Sequence, residues 1–200
     1  MTALPILVAL AQLVGAVTTS VDARLDKQFE QLAASYVDQF PAFSPVSATT
    51  MGDHRFDSQL DEVSDEARAK SVAFCREYLE RLGEIDADRL SRANQVDYAL
   101  LELELQGAIW QTETLQAWAW NPLHYTGLSG GAIYGLVARD FAPVGTRLVH
   151  VADRLEQFPR LFGQIRATLD PQRVPKIHAE TAVKQNRGVL SILDNMVKPH

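Results

Sequence analysis

The chain has 200 residues, of which 46% are hydrophobic and 22% are charged, and this ordinary globular composition excludes an intrinsically disordered protein. With 19 basic and 25 acidic residues the formal net charge is −6, and no segment gathers Lys and Arg into the basic stripe that a phosphate backbone requires, which excludes nucleic acid as the expected partner. The single cysteine, Cys75, excludes an internal disulfide and is expected to be a buried thiol in a helix.

An apolar run occupies residues 4–17, and the small residues at 14–16 (Val-Gly-Ala) suit a signal-peptide cleavage site. No Lys or Arg precedes Arg24, so the positive charge that opens a signal peptide rests on the α-amino group alone. The run is shorter than the roughly 20 residues of a membrane-spanning helix. We therefore expect residues 1–23 to be the signal peptide of an exported protein with no stable membrane span. The alternative is a buried N-terminal helix, as in a cytoplasmic protein.

The first predicted helix covers residues 21–40, where apolar side chains recur every three or four residues and therefore lie on one stripe. These side chains are Leu25, Phe29, Leu32, Tyr36 and Phe40. Asp22 is suited to cap the start of the helix, and Pro41 ends the pattern. Residues 41–61 are rich in Pro, Ser, Thr, Gly and Asp without a helical period, which predicts an ordered loop.

Two longer helices are predicted next. Ser64, followed by two acidic residues, is typical of a helix cap, and this helix is expected to run to Leu82 with Gly83 as its stop. Residues 86–115 predict a long helix that packs on two sides, because two apolar lines run along it. One line holds Val96, Leu100 and Leu103, and the other holds Tyr98, Leu101, Leu105 and Ile109.

The second half of the chain predicts helices separated by glycine and proline. Residues 116–125 interrupt the helical pattern. Residues 127–131 predict a loop, a glycine-rich hinge or a flexible helix start, and their small side chains allow another backbone to approach closely. Pro143 suits the first turn of the next helix. Pro159 either kinks that helix or starts a successor, and we favour the break. A final helix is predicted over residues 177–197. No alternation of strands and helices occurs, so the expected fold class is all-α.

No catalytic or metal-binding motif is complete in the sequence. The five histidines include no pair four residues apart, which excludes the helical His-Glu-x-x-His site of zinc hydrolases. Residues 127–131 match the Gly-x-Ser-x-Gly pattern of serine hydrolases, but the sequence predicts no strand before them and no supporting sheet. We therefore expect no catalytic residue, no metal ligand and no cofactor within this chain.

A binding site is predicted at residues 116–125, the most unusual segment of the chain. Trp118, Trp120 and Tyr125 surround Asn121 in the sequence, and aromatic walls with an amide between them suit a peptide or a sugar. Trp120, Asn121 and Tyr125 are the candidate substrate-binding residues. The alternative is that these aromatic side chains fill the core at a junction between helices.

Five segments carry a more specific signal through their order and spacing. They are residues 45–57 (Pro-Val-Ser-Ala-Thr-Thr-Met-Gly-Asp-His-Arg-Phe-Asp), 97–101 (Asp-Tyr-Ala-Leu-Leu), 120–125 (Trp-Asn-Pro-Leu-His-Tyr), 141–143 (Phe-Ala-Pro) and 154–159 (Arg-Leu-Glu-Gln-Phe-Pro). Together they resemble the N-terminal part of a bacterial family, the domain of unknown function 885. The resemblance covers about residues 24–198.

The resemblance implies an irregular multi-helix array that is the N-terminal part of a larger helical, peptidase-like fold, often exported. The family is similar to zinc metallopeptidases whose His-Glu-x-x-His helix and glutamate ligand lie later in the chain, so no metal ligand carries over to this sequence. Residues 24–200 are then expected to be an incomplete portion, inactive alone, that forms a wall of the substrate cleft. Zinc is expected only in the C-terminal part of the same protein, and the expected partners are that part and a peptide substrate.

A second function stays open at the level of sequence. The chain would then be a stand-alone helical module that binds a peptide or a protein through residues 118–125 and the glycine-rich residues 127–131. A portion of a larger fold is expected to expose extended apolar faces, whereas a self-sufficient module is expected to bury them.

Overall fold

The computed structural model describes residues 20–198. The predicted signal peptide, residues 1–23, lies outside the described residues except for its last four positions. Within residues 20–198 the chain is all-α, as the sequence predicts: it forms eight α-helices in an irregular array and no β-strand. None of the helices in this range is long and apolar enough to cross a lipid bilayer.

Short connections join the helices, and several of them contain one turn of 3₁₀- or π-helix. The α-helices of residues 20–198 are α1 (Ala23–Gln39), α2 (Pro45–Met51), α3 (Asp65–Gly83), α4 (Arg92–Trp110), α5 (Ala117–Trp120), α6 (Pro122–Val137), α7 (Val144–Thr168) and α8 (Lys176–Ile192). The 3₁₀ turns are Phe40–Phe43, His54–Phe56 and Ala87–Arg89, and the π-helical turns are Gln111–Leu115 and Leu193–Val197.

Polar side chains cap the N-termini of α1 and α3. Each accepts a hydrogen bond from a backbone amide in the first turn, which has no hydrogen-bond partner inside the helix. The Asp22 carboxylate accepts from the amide of Arg24 at 2.9 Å. The Ser64 hydroxyl accepts from the amide of Ala67 at 3.1 Å. Both predicted caps are therefore confirmed, and α3 ends at Gly83 as expected.

The helix predicted over residues 86–115 begins later than expected and changes pitch before its end. Ser91 caps α4 by accepting from the amide of Asn94 at 3.4 Å. The predicted start is wrong because Leu90 is extended and fully buried, which separates α4 from the short turn before it. At the other end, Gln116 adopts a left-handed conformation with φ 52°, so the helical run stops there and the chain turns into α5.

The prediction of a loop at residues 41–61 is wrong, because this segment contains α2 and two 3₁₀ turns. Pro45 occupies the first helical position, where its fixed φ suits a helix and its missing N–H has no cost. Val46 and Ala48 are buried in the core, and Gly52 ends the helix with φ 95°. The helix is too short and too rich in Ser and Thr to show a helical period, so tertiary packing stabilises it.

The predicted loop or hinge at residues 127–131 and the favoured helix break at Pro159 are both wrong, because these residues lie inside helices. Residues 127–131 belong to α6, where a Cβ atom on Gly130 would lie 3.4 Å from Cγ2 of Val189 in α8. The small residues therefore allow the predicted close approach of another helix, without a hinge. Pro159 lies inside α7 at an exposed position, where it removes the amide that would donate to the Leu155 carbonyl.

Two hydrophobic clusters stabilise the array, one on α1, α3 and α4 and the other on α2, α6 and α7. The first contains Phe29, Leu32, Cys75, Tyr78, Leu82, Ile85, Leu90, Leu101 and Leu105. The second contains Val46, Leu60, Val63, Tyr125, Ala132, Ile133, Leu136, Val151, Phe158, Leu161 and Ile165. Cys75 is buried as predicted, and this burial raises the pKa of its thiol.

Helix α4 packs along one of its two apolar lines. Leu101 and Leu105 are buried against α1 and α3, and Tyr98 and Ile109 contact the same cluster. The other line, at Val96, Leu100 and Leu103, is exposed, and no described residue covers it. The prediction that α4 packs on two sides is therefore wrong for the part of the chain that the structure describes.

Candidate functional site

A cleft of about 940 Å³ opens between the first turns of α3, the preceding residues 59–63 and the start of α6. The cleft is also lined by residues 43–45, by Thr112 in the π-helical turn after α4 and by Trp118 in α5. This volume is within the range of small-molecule and peptide sites. Acidic and basic groups both line the cleft, namely Asp61, Glu62, Glu66, Arg68, Lys70 and His124. The mixture of charges suits a ligand that carries groups of both signs.

Asp61 is a half-buried carboxylate in the lining of the cleft. One of its oxygens accepts a hydrogen bond from the amide of Val46 at 3.0 Å. Burial raises the pKa of Asp61, while the Val46 amide and the charges of Arg154 and His124 act in the opposite direction. The second carboxylate oxygen is therefore a candidate acceptor for a ligand, because burial strengthens its interaction with any cationic or N–H group that enters the cleft.

Trp118 and Tyr125 form an aromatic wall whose polar atoms already have partners in the protein. Trp118 donates from Nε1 to the carbonyl of Thr112 at 2.8 Å, and the Tyr125 hydroxyl donates to the carbonyl of Trp118 at 2.6 Å. Burial raises the pKa of Tyr125 to about 12, so the hydroxyl stays protonated at neutral pH. The Arg68 guanidinium lies 4.0 Å from the centre of the Trp118 ring. The wall is thus held rigidly and offers mainly apolar surface.

One of the three predicted binding residues lines the cleft, and the other two lie outside its lining. Tyr125 lines the cleft. Trp120 lies outside the lining, where its Nε1 donates to the carbonyl of Leu115 at 3.0 Å and its ring lies 5.7 Å from that of His178. Asn121 caps α6 by accepting from the amide of Leu123 at 3.2 Å.

Sequence reasoning missed Asp61, His124 and Arg68 as members of the cleft. Asp61 stands in a polar segment that the sequence interprets as a loop, and Arg68 belongs to an ordinary amphipathic helix. No periodicity brings these residues together, because they lie on separate elements that meet only in the folded chain. The available signal was the aromatic segment at residues 116–125, because Trp118, His124 and Tyr125 of this segment line the cleft.

A buried polar network lies behind the cleft and holds residues 45–61 in place. The fully buried Arg154 of α7 donates to the Thr49 hydroxyl and to the Ala132 carbonyl, both at 2.7 Å, and to the Gln59 carbonyl at 2.9 Å. The Thr49 hydroxyl in turn donates to Asp57 at 2.7 Å. Burial lowers the pKa of Arg154, although the guanidinium remains charged. Arg154 therefore fixes the backbone that presents Asp61 to the cleft.

His54 completes this network on its outer side. Its Nδ1 lies 3.0 Å from a carboxylate oxygen of Asp57, and its ring stacks on Phe141 with 3.8 Å between the ring centres. Four of the residues in the network, Thr49, His54, Asp57 and Arg154, belong to the segments that carry the family resemblance. These segments are therefore explained by structure, since they fix the position of α2 against α6 and α7.

The described residues do not fit the zinc ion that the resemblance implies. Nowhere in residues 20–198 do three His, Cys, Asp or Glu side chains come close enough to hold a metal ion. Ser129, the central residue of the Gly-x-Ser-x-Gly pattern, is buried inside α6 and lacks the strand-to-helix turn that exposes a nucleophile. No metal-dependent or serine-dependent step is assigned to these residues.

The fold is an irregular all-α array, and the cleft of about 940 Å³ is a candidate ligand site among the described residues. The family model described as "Bacterial protein of unknown function (DUF885)" matches residues 45–199, so the chain belongs to this family. No curated protein matches the chain.

A solved structure supports the same fold. It is that of a presumed lipoprotein of unknown function from Shewanella oneidensis, which is similar to this chain with 26% sequence identity and a TM-score of 0.78. The match covers 84% of this chain and 30% of the other. The chain thus spans about a third of the length of that protein.

Proposed function

We propose that the chain is the N-terminal helical segment of a larger, exported, zinc metallopeptidase-like protein and that its cleft forms part of the wall against which a peptide substrate lies. The zinc site belongs to another part of that protein, consistent with the resemblance. The greater length of the solved relative supports a segment of a larger protein, and the metallopeptidase-like activity rests on what the family resemblance implies. Export is supported by the apolar residues 4–17 and by the description of that relative as a lipoprotein.

The observation that carries the proposal is the extent of apolar surface on the outer helices. Large apolar side chains are exposed on α4 (Val96, Leu100, Leu103, Trp110), α7 (Val149, Leu155, Phe162) and α8 (Ile177, Val183, Leu190). Apolar side chains scattered singly are normal on protein surfaces, whereas rows of them along a helix mark contacts with further protein. These rows favour a segment of a larger fold over the stand-alone module.

The cleft suits a peptide for reasons of shape and chemistry. Trp118 and Leu128 offer apolar surface to a side chain, and Asp61 offers a carboxylate oxygen to an amide or ammonium group. Arg68 and Lys70 line the same cleft and are able to pair with a peptide carboxylate. Trp120 and Asn121 then act as supports that orient the start of α6 and, with it, Tyr125.

The first test measures zinc content and cleavage by the purified 200-residue chain. We expect far less than one zinc ion per chain by atomic emission after dialysis, and no cleavage of a fluorogenic peptide library with or without added zinc. Cleavage that requires zinc and disappears with a chelator would show that the chain holds its own catalytic centre and would overturn this part of the proposal.

The second test locates peptide binding. Mixed unstructured peptides are titrated into the chain while amide chemical shifts are followed by NMR. We expect changes at Asp61, Arg68 and Trp118, and weaker binding by the Trp118→Ala variant than by the matched Trp120→Ala variant. The reverse order of the two variants would move the site to Trp120 and Asn121, and no shift changes in the cleft would contradict its role in binding.

A further inference from the structure

One row of exposed side chains on α4 has the spacing of a helix that packs on another helix. Its members, here named the α4 stripe, are Val96, Leu100, Leu103 and Trp110, with 43%, 59%, 67% and 52% of their surface exposed. Steps of four, three and seven residues place all four side chains on the same side of α4. At 1.5 Å per residue the stripe is about 21 Å long, which is enough for three turns of a partner helix.

The stripe is a second face of α4, distinct from the face that packs inside the fold. The buried residues Leu101 and Leu105 point toward α1 and α3, whereas the stripe lies on the opposite side of the same helix. Trp110 supplies the largest apolar surface of the stripe, and aromatic anchors of this kind dominate the energetics of protein interfaces. The pattern therefore indicates an interface for a helix.

Carboxylates border the α4 stripe on one side. The helical spacing places Asp97 and Glu104 along that edge. Glu102 lies farther round the helix near Tyr98, and one basic residue, Arg92, stands at the N-terminal end of the stripe. Within residues 20–198, ion pairs join Arg76 to Glu113 and Arg81 to Glu77, but none involves these three carboxylates. A partner that brings Lys or Arg to the edges of its apolar face would therefore complement the stripe electrostatically.

We propose that the α4 stripe binds an amphipathic helix whose apolar face is flanked by Lys or Arg. The inference rests on the proposed function, because the helix is taken to be another segment of the larger protein. A second copy of this chain fits poorly, since two such stripes would bring acidic edges together and each chain carries a net charge of −6. The acidic edge formed by Asp97 and Glu104 also disfavours an anionic membrane surface.

The test uses two synthetic 21-residue helical peptides with the same row of leucines, one flanked by Lys and the other by Glu. Binding to the 200-residue chain is measured by isothermal titration calorimetry. We expect the Lys-flanked peptide to bind at least about tenfold more tightly than the Glu-flanked one, and salt to weaken this binding. Leu103→Glu should abolish binding. Val183→Glu, a change at an equally exposed position on α8, should leave binding unchanged, and circular dichroism melts should confirm that both variants are folded.

Several results would overturn the inference. They are equal binding of both peptides, no binding of either, binding that persists in Leu103→Glu, sedimentation as a dimer that Leu103→Glu dissociates, and cosedimentation with vesicles of anionic phospholipid. The proposed function is tested by different results. Zinc-dependent cleavage by the chain, or the absence of peptide contacts in the cleft, would contradict the proposed function, and neither measurement depends on the α4 stripe. Binding of the Lys-flanked peptide together with either of those results would retain the interface and reject the peptidase segment.

Discussion

Arg154 and Thr49 are 105 residues apart in the sequence, yet the guanidinium of one donates a 2.7 Å hydrogen bond to the hydroxyl of the other in the interior of the protein. The same guanidinium also donates to the carbonyls of Ala132 and Gln59. Three distant parts of the chain are thereby joined at one buried cation. The position of Asp61 in the cleft depends on these hydrogen bonds, because Asp61 follows Gln59 by two residues.

Replacing Arg154 by Met should cost about 3–5 kcal/mol of the free energy of unfolding. The new side chain has a similar length but no donors, so the buried carbonyls of Gln59 and Ala132 and the Thr49 hydroxyl would lose their partner. Urea denaturation followed by circular dichroism measures the change. Arg139→Met is the matched control, since Arg139 is on the surface and donates only to the Thr50 carbonyl among the described residues. A loss in the control as large as that in Arg154→Met would contradict the special role of the buried site.

Asp61→Asn should stabilise the protein more at neutral pH than at acidic pH. The pKa of Asp61 is raised above its ordinary value of 3.8, chiefly by burial, so its contribution to stability is fully present below that value and is lost as the pH rises through the folded pKa. Asn keeps an oxygen that accepts from the Val46 amide but does not titrate. The difference in unfolding free energy, variant minus wild type, should therefore increase between about pH 3 and about pH 7.

Urea denaturation of both proteins across this pH range measures the difference. Titrating groups other than Asp61 are common to the two proteins, so their effects cancel to first order. A difference that stays constant with pH, or that decreases as the pH rises, would show that burial does not govern the ionisation of Asp61.

Gly130→Leu should destabilise the protein by about 1–3 kcal/mol, because α6 and α8 approach too closely at this position for a large side chain. Even a Cβ atom there would lie 3.4 Å from Val189. Gly127→Leu provides the control on the same helix, since Gly127 is exposed with no atom near its Cβ position, and Leu favours a helix over Gly by up to about 1 kcal/mol. Thermal denaturation should place the two variants on opposite sides of the wild type. Equal melting temperatures would contradict the close packing of α6 on α8.

Pro159→Ala should stabilise the protein by about 1–2 kcal/mol. Alanine restores the amide that is able to donate to the Leu155 carbonyl, and the gain exceeds the greater entropy of the unfolded chain. Pro143→Ala should have the opposite sign, because Pro143 precedes α7 with φ −51°, a conformation that proline favours. Chemical denaturation of the two variants tests the pair. Destabilisation by Pro159→Ala would show that the packing of α7 requires proline at this position.

The predictions that the structure confirms depend on neighbours in the sequence. Asp22 and Ser64 were predictable as caps because the amides they bind lie two and three residues away. The helical stripe of α1 was predictable for the same reason. The errors at α2 and at residues 127–131 have the opposite cause, since both segments depend on contacts with residues far along the chain.

The sequence by itself determined an all-α protein, the starts of α1 and α3, the buried thiol of Cys75 and the family, because local spacing, capping and the order of motifs carry that information. Only the tertiary structure decided which apolar line of α4 is buried and which residues surround the cleft. Asp61 and Trp118 are far apart in sequence and belong to different elements. They line the same cleft because the chain folds back on itself: α2, residues 56–59 and α6 meet at Arg154, and burial in the folded chain raises the pKa of the Asp61 carboxylate.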